Sequence, residues 1–132
     1  MHRTQSYKDL IVWQRAIELV CAIYKLTNKF PPDERYGLVS QMRRSGVSIP
    51  SNIAEGRNRG SKKDYSSFLR IAYASGAELE TQLVICKKLA FASPGLYDEV
   101  DKLLDEVMRM LNVMIRKLNP VTAPNTANEA IS

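Results

Sequence analysis

The chain has 132 residues, of which 45% are hydrophobic, and carries a formal net charge of +5. That length fits one compact domain rather than two, and the apolar content is enough to fill a single core. No apolar stretch approaches the roughly 20 residues needed to span a bilayer, no apolar run follows the basic start, and the positive balance favours anionic partners, so we expect a cytoplasmic protein with no membrane role.

In chain order the first periodic segment is Trp13, Ala16, Ile17, Val20, Ile23, Tyr24 and Thr27, whose three- and four-residue steps predict a helix from about Lys8 to Lys29, stopped by Pro31 and Pro32. A second segment opens on Pro32-Asp33-Glu34, a proline and two carboxylates suited to the positive end of a helix. It continues through Leu38, Val39, Met42, Val47, Ile49 and Ile53 and ends between Gly56 and Gly60. Pro50 lies inside this pattern, where it removes a backbone hydrogen bond, so the expectation is one helix kinked at Pro50. Ser48, Ser51 and Asn52 flank that proline, and one of them or a water is expected to satisfy the carbonyl it releases.

Ser61-Lys62-Lys63-Asp64 has the form of a capping box with Asp in the third place, and the apolar pattern beyond it predicts a third helix reaching about Phe91. Gly76 in its middle costs about 1 kcal/mol relative to alanine, which the close approach of a neighbouring helix would offset. After Ser93-Pro94-Gly95, Leu96 to Leu118 predicts a fourth helix with two apolar seams, one through Val100, Leu103, Val107, Met110 and Met114, the other through Leu104, Leu111, Ile115 and Leu118. One seam suffices for a bundle core, so the second implies either deep burial or a partner. The expected architecture is all-α, an up-down-up-down four-helix bundle over residues 1–119 with a flexible tail over 120–132.

Chemistry leaves few marks on this pattern. The one histidine, His2, lies outside every predicted helix, which removes a ferritin-like metal site and histidine-assisted nucleophiles. Cys21 and Cys86 fall in apolar helical patterns and are expected as buried free thiols. Glu78 and Glu80 are two apart on a helix and do not face each other. Gly56-Arg57-Asn58-Arg59-Gly60 follows a helix rather than a strand and is no phosphate-cradling loop of the P-loop kind. No enzyme, metal or cofactor is expected. Trp13, Tyr24, Phe68 and Tyr73 belong to apolar patterns and are expected in the core, while Tyr36 and Tyr65 stand near basic residues.

The stretch from Arg43 to Lys63 holds six cations and one carboxylate. A solvated helix face normally mixes both signs, whereas a surface that meets phosphates does not. Arg43, Arg44, Arg57, Arg59, Lys62 and Lys63 are therefore the candidate nucleic-acid contacts, for RNA or DNA. The alternative is a protein-interaction scaffold that docks a partner through an apolar face, its charge incidental.

Tyr7 to Ala16, Ile23 to Thr27, Tyr36-Gly37-Leu38, Gln41 to Ser45 and above all Val47 to Gly56 resemble the small bacterial four-helix-bundle proteins encoded by intervening sequences in 23S ribosomal RNA genes. Ser61 to Tyr65, Phe68-Leu69 and Glu78 to Leu83 extend the match to about Phe91. The resemblance implies ring-shaped homopentamers. It also implies similarity to the accessory variability determinant of diversity-generating retroelements, which presents a basic surface to nucleic acid and to a reverse transcriptase. A reverse transcriptase is accordingly a further partner that the resemblance suggests.

Overall fold

A computed structural model describes residues 6–119. Its helices are α1 (Ile11–Thr27), α2 (Leu38–Arg59), α3 (Lys62–Lys88) and α4 (Asp98–Leu118), with 3₁₀ turns at Tyr7–Asp9, Pro32–Glu34 and Pro94–Tyr97. Among the described residues there is no strand, and no helix is long and apolar enough to cross a membrane. The tail expected over 120–132, and His2, lie outside the described residues.

Each helix packs on the next, and α4 closes against α1. Contacts fix the directions: Ile23 and Thr27 of α1 meet Gly46 and Arg43 of α2, while Ser48 and Gly56 of α2 meet Ser75 and Phe68 of α3. Gly76 and Lys87 of α3 in turn meet Met108 and Asp101 of α4. Every neighbouring pair is thus antiparallel, which is the up-down-up-down four-helix bundle read from the periodicity. Leu19, Ile23, Met42, Ile49, Ile53, Leu69, Leu79 and Leu111 are fully buried between them. Each contributes about 1.5–3 kcal/mol of hydrophobic stabilisation.

Helix boundaries depart from the sequence expectation where local hydrogen bonding outcompetes periodicity. Ser6 and Asp9 form a reciprocal capping box around Tyr7–Asp9, and Leu10 is then extended, so α1 begins at Ile11 rather than Lys8. Pro32-Asp33-Glu34 makes a single 3₁₀ turn, because Gly37 (φ −108°, ψ −112°) redirects the chain before α2 starts at Leu38. The Glu34 carboxylate accepts the Leu38 N–H at 3.3 Å. At the far end of α3, Ala90 takes the left-handed conformation (φ 57°) and the Ala90 and Phe91 N–H groups donate back to Lys87 and Cys86 carbonyls at 3.1 Å. This is a Schellman closure with alanine where glycine is usual, so α3 stops at Lys88 instead of Phe91. Pro94–Tyr97 forms a further turn, moving the start of α4 from Leu96 to Asp98.

Other expectations concern the interior. α2 runs through Pro50 as one helix and closes on Gly60 in the left-handed conformation at φ 91°. Gly76 does sit where a neighbouring helix approaches: a methyl group there would meet the Met108 thioether of α4. Cys86 is buried as expected, but Cys21 is exposed, since Leu19, Ala22, Ile23 and Leu26 already form the core side of α1 and leave position 21 on the outer side. Both seams of α4 enter the core over Val100–Leu111. Met110 within that stretch, and Met114, Ile115 and Leu118 beyond it, are only half-buried, and Val113 is 48% exposed.

Candidate functional site

The α2–α3 turn sets Arg57, Arg59, Lys62 and Lys63 together at one end of the bundle. Arg43 and Arg44 do not join them, because α2 is a continuous helix, and at about 1.5 Å per residue Arg43 stands about 20 Å from Arg57. The single basic segment of the sequence is therefore two separate groups of cations. Arg44 is exposed, whereas Arg43 is packed on α1: its Nε donates to Thr27 Oγ1 at 3.0 Å, its Nη2 to Asn28 Oδ1 at 3.1 Å, and its guanidinium lies 4.3 Å from the Tyr24 ring centroid.

At the α2–α3 end, Arg59 pairs with Glu55 at 3.1 Å and lies over the Phe68 ring at 4.9 Å. Arg57 is half-buried beside Tyr65, whose phenol is raised above its ordinary range by burial, with the Arg57 charge pulling the other way. Lys62 and Lys63 are exposed and have no ion-pair partner among the described residues. The last turn of α4 adds Arg116 and Lys117, since Asn119, next after α4, donates its side-chain N–H to Ser66 Oγ in the first turns of α3. Sequence reading missed these two because they are more than fifty positions from Lys63. The usable signal was the antiparallel topology, which returns the end of α4 to the start of α3.

Helix electrostatics separates these cations into two kinds. Arg57 and Arg59 close α2, and Arg116 and Lys117 close α4, where a positive charge stabilises the negative pole of the helix by about 0.3–1 kcal/mol each. Lys62 and Lys63 open α3, at the positive pole, where the same effect opposes them, and Asp64 supplies the single first-turn carboxylate. Those two lysines have no helix-stabilising reason to be there.

Among the described residues no three His, Cys, Asp or Glu side chains converge as metal ligands would. Burial pushes the Cys86 thiol above its ordinary range, the opposite of what a thiolate nucleophile needs. Tyr24 and Tyr73, expected in the core, are 41% and 37% exposed, and Trp13 and Phe68 are half-buried. Both tyrosines lie at the edge of their apolar stripes, where a polar tip can reach water. A second feature is an apolar groove of about 530 Å³ along the α1–α4 seam, lined by Leu10, Ile11, Met110, Val113 and Met114 with Glu106 and Arg109 at its rim.

Known proteins share this arrangement of helices. The model of the 23S rRNA-intervening sequence protein family matches residues 8–113. The chain belongs to that family. A crystal structure of a protein of unknown function from the S23 ribosomal protein family of Bacteroides thetaiotaomicron VPI-5482 is similar in fold, with a TM-score of 0.74. It is 23% identical, over 80% of this chain and 96% of that one, a level at which the likeness speaks to the bundle and not to its surface. No curated protein matches. Within the stretch matched by the 23S rRNA-intervening sequence family lie all six cations read from the sequence, whereas Arg116 and Lys117 fall beyond it.

Proposed function

We propose that this protein is a non-enzymatic, homo-oligomeric bundle that binds RNA or DNA through its basic end, with Arg57, Arg59, Lys62 and Lys63 contacting phosphates and Arg116 and Lys117 extending the surface. The observation that carries the reading is the pair Lys62 and Lys63, placed against the dipole of α3 beside cations contributed by two other helices. A polyanion offsets the mutual repulsion of such a cluster, and each phosphate neutralised releases a condensed counterion. Self-association is supported by the half-exposed aliphatic strip Ile11, Met110, Val113 and Met114, and repetition of the basic end around an oligomer would raise avidity for one strand. A pentamer is the assembly the family resemblance suggests.

Neutralising Arg57, Arg59, Lys62 and Lys63 together to alanine tests the reading by fluorescence anisotropy at several salt concentrations. Binding should weaken alike for all sequences, since phosphate contacts position a ligand without reading it. The slope of log affinity against log salt should fall by about 0.7–0.9 for each phosphate that the variant no longer neutralises. Equal affinity at about 50 mM salt for wild type and the folded variant overturns it. The second reading, a scaffold that docks a protein in the α1–α4 groove, rests on that groove's apolar lining and predicts binding nearly indifferent to salt.

A further inference from the structure

A small cleft lies between the end of α1 and the start of α2, lined by Thr27, Asn28, the Phe30–Pro32 loop, Arg35, Val39 and Arg43. Its charged lining is two arginines and no carboxylate. Other grooves on the bundle hold carboxylates beside their cations: Arg109 pairs with Asp105, Lys25 and Lys29 share a groove with Asp98 and Glu99, and Lys87 pairs with Asp101.

Arg43 is held in this cleft before any ligand arrives. Thr27 Oγ1 donates to the Ile23 carbonyl at 2.8 Å, which orients its lone pairs to accept Arg43 Nε, and Asn28 and the Tyr24 ring fix the plane of the guanidinium. These contacts occupy two of the five N–H donors of an arginine and leave three to spare. Side-chain freedom that an anion would otherwise have to remove is thus already lost on folding. Arg35 is exposed, with no ion-pair partner among the described residues, and can close on the same ligand. Val39 of the first turn of α2 also lines the cleft, and the nearby Glu34 carboxylate is engaged by the Leu38 N–H without lining it.

Size decides the class of ligand. The cleft holds about 180 Å³, below the roughly 300 Å³ at which sites for whole small molecules begin, so it has room for one compact group. A phosphate monoester suits it: near neutral pH it carries close to two negative charges against two arginines, and its oxygens match the planar fork of a guanidinium. We propose that this cleft binds a phosphate monoester group, with Arg43 as the preorganised fork and Arg35 as the closing cation. The site is about 20 Å from the α2–α3 end and stands whether or not that end binds nucleic acid.

The test uses the full chain and inorganic phosphate as the probe, followed by backbone amide shifts. Saturable shifts should centre on Asn28 and residues 35–43, and should weaken between pH 7.5 and 5.5 as the dianion, with its second pKa of about 6, takes up a proton. Arg35→Ala, at an exposed position that leaves the fold intact, and Arg43→Lys, which keeps the charge but not the fork, should each weaken binding about tenfold. Arg57→Ala should leave it unchanged. A 5′-phosphorylated oligonucleotide binding more tightly than its 5′-hydroxyl counterpart, with the difference lost in Arg35→Ala, places the phosphate at a nucleic-acid end. No such difference, with inorganic phosphate still binding, makes free phosphate or a small ester the ligand. Absence of saturable shifts at about 10 mM phosphate, or binding unaltered by Arg35→Ala, overturns the proposal.

Discussion

The α2–α3 seam and the α1–α4 seam bring helices together by opposite means. Between α2 and α3 small residues stand at the points of closest approach: Gly56 sits against Phe68 and Tyr65, and Ser48 and Ser75 share a hydrogen bond of 2.8 Å. Between α1 and α4 the facing groups are long side chains, the Arg15–Glu106 ion pair at 3.0 Å and the aliphatic groups of Ile11, Met110, Val113 and Met114, with a groove left open beside them. Small residues let backbones approach until no space remains, so the first seam is completed within the chain. Long ones hold the helices apart and leave apolar surface for something else to cover, which is why the two seams should answer mutation differently.

The largest contrast should come from truncation. Ile53 is fully buried on α2, and Ile53→Ala should cost about 2–5 kcal/mol, the transfer free energy of the lost groups plus the cavity left behind. Met110 is half-buried at the rim of the groove, and Met110→Ala should cost less than about 1 kcal/mol. Urea unfolding with unchanged slopes measures both, and equal costs would erase the distinction between a completed and an open seam. Met110→Glu sharpens it further: with the fold retained, light scattering should move toward the 14.9 kDa mass of one chain if the groove is where copies meet.

Adding a methyl group extends the comparison to the α3–α4 seam, where Gly76 lies. At Gly56 a new Cβ would lie 2.7 Å from the Phe68 Cβ and 3.3 Å from the Tyr65 carbonyl oxygen, atoms that cannot move without their helix. Gly56→Ala should destabilise by about 1–3 kcal/mol from overpacking, more than the roughly 1 kcal/mol that alanine gains in helix propensity. Gly76→Ala meets instead the end of Met108, a side chain with three rotatable bonds, and the same propensity gain should hold the net change within about 1 kcal/mol. Thermal unfolding of the two variants checks the order, and a larger loss at Gly76 would show that α4 is pinned as firmly as α3.

Periodicity carried the helix count, because apolar spacing states directly which face of a helix is buried, while short loops carried the antiparallel order and the helix cost of glycine the reason for Gly76. It failed at ends set by backbone geometry: nothing in Leu89-Ala90-Phe91 announces a left-handed alanine, and Pro32-Asp33-Glu34 has the same letters whether it opens a helix or a single turn. Tyr24 and Cys21 were misplaced because an apolar stripe has edges, and spacing alone does not separate edge from centre. Four of the six cations of the candidate basic end were legible, since Arg57, Arg59, Lys62 and Lys63 fall within seven residues. Arg43 and Arg44 stand apart from it because closeness in sequence along a helix is still distance in space, and Arg116 and Lys117 needed the tertiary return of α4.

The most local test lies on the completed seam itself. The Asn52 side-chain amide donates to the Ser48 carbonyl at 2.8 Å and to the Ser48 hydroxyl at 2.9 Å, and that hydroxyl bonds Ser75 on α3. The carbonyl reached is Ser48's and not that of Gly46, the one left without its helical donor by Pro50. Asn52 therefore braces the hydroxyl pair across the seam rather than repairing the proline. Removing it in Asn52→Ala strips a half-buried hydroxyl of one partner and should cost about 1–2 kcal/mol. Affinity for nucleic acid should stay at the wild-type value, because Asn52 faces α3 and contributes no charge. An unchanged unfolding midpoint combined with abolished binding would mean the opposite, that this polar edge meets a ligand and that even the closed seam has a surface to offer.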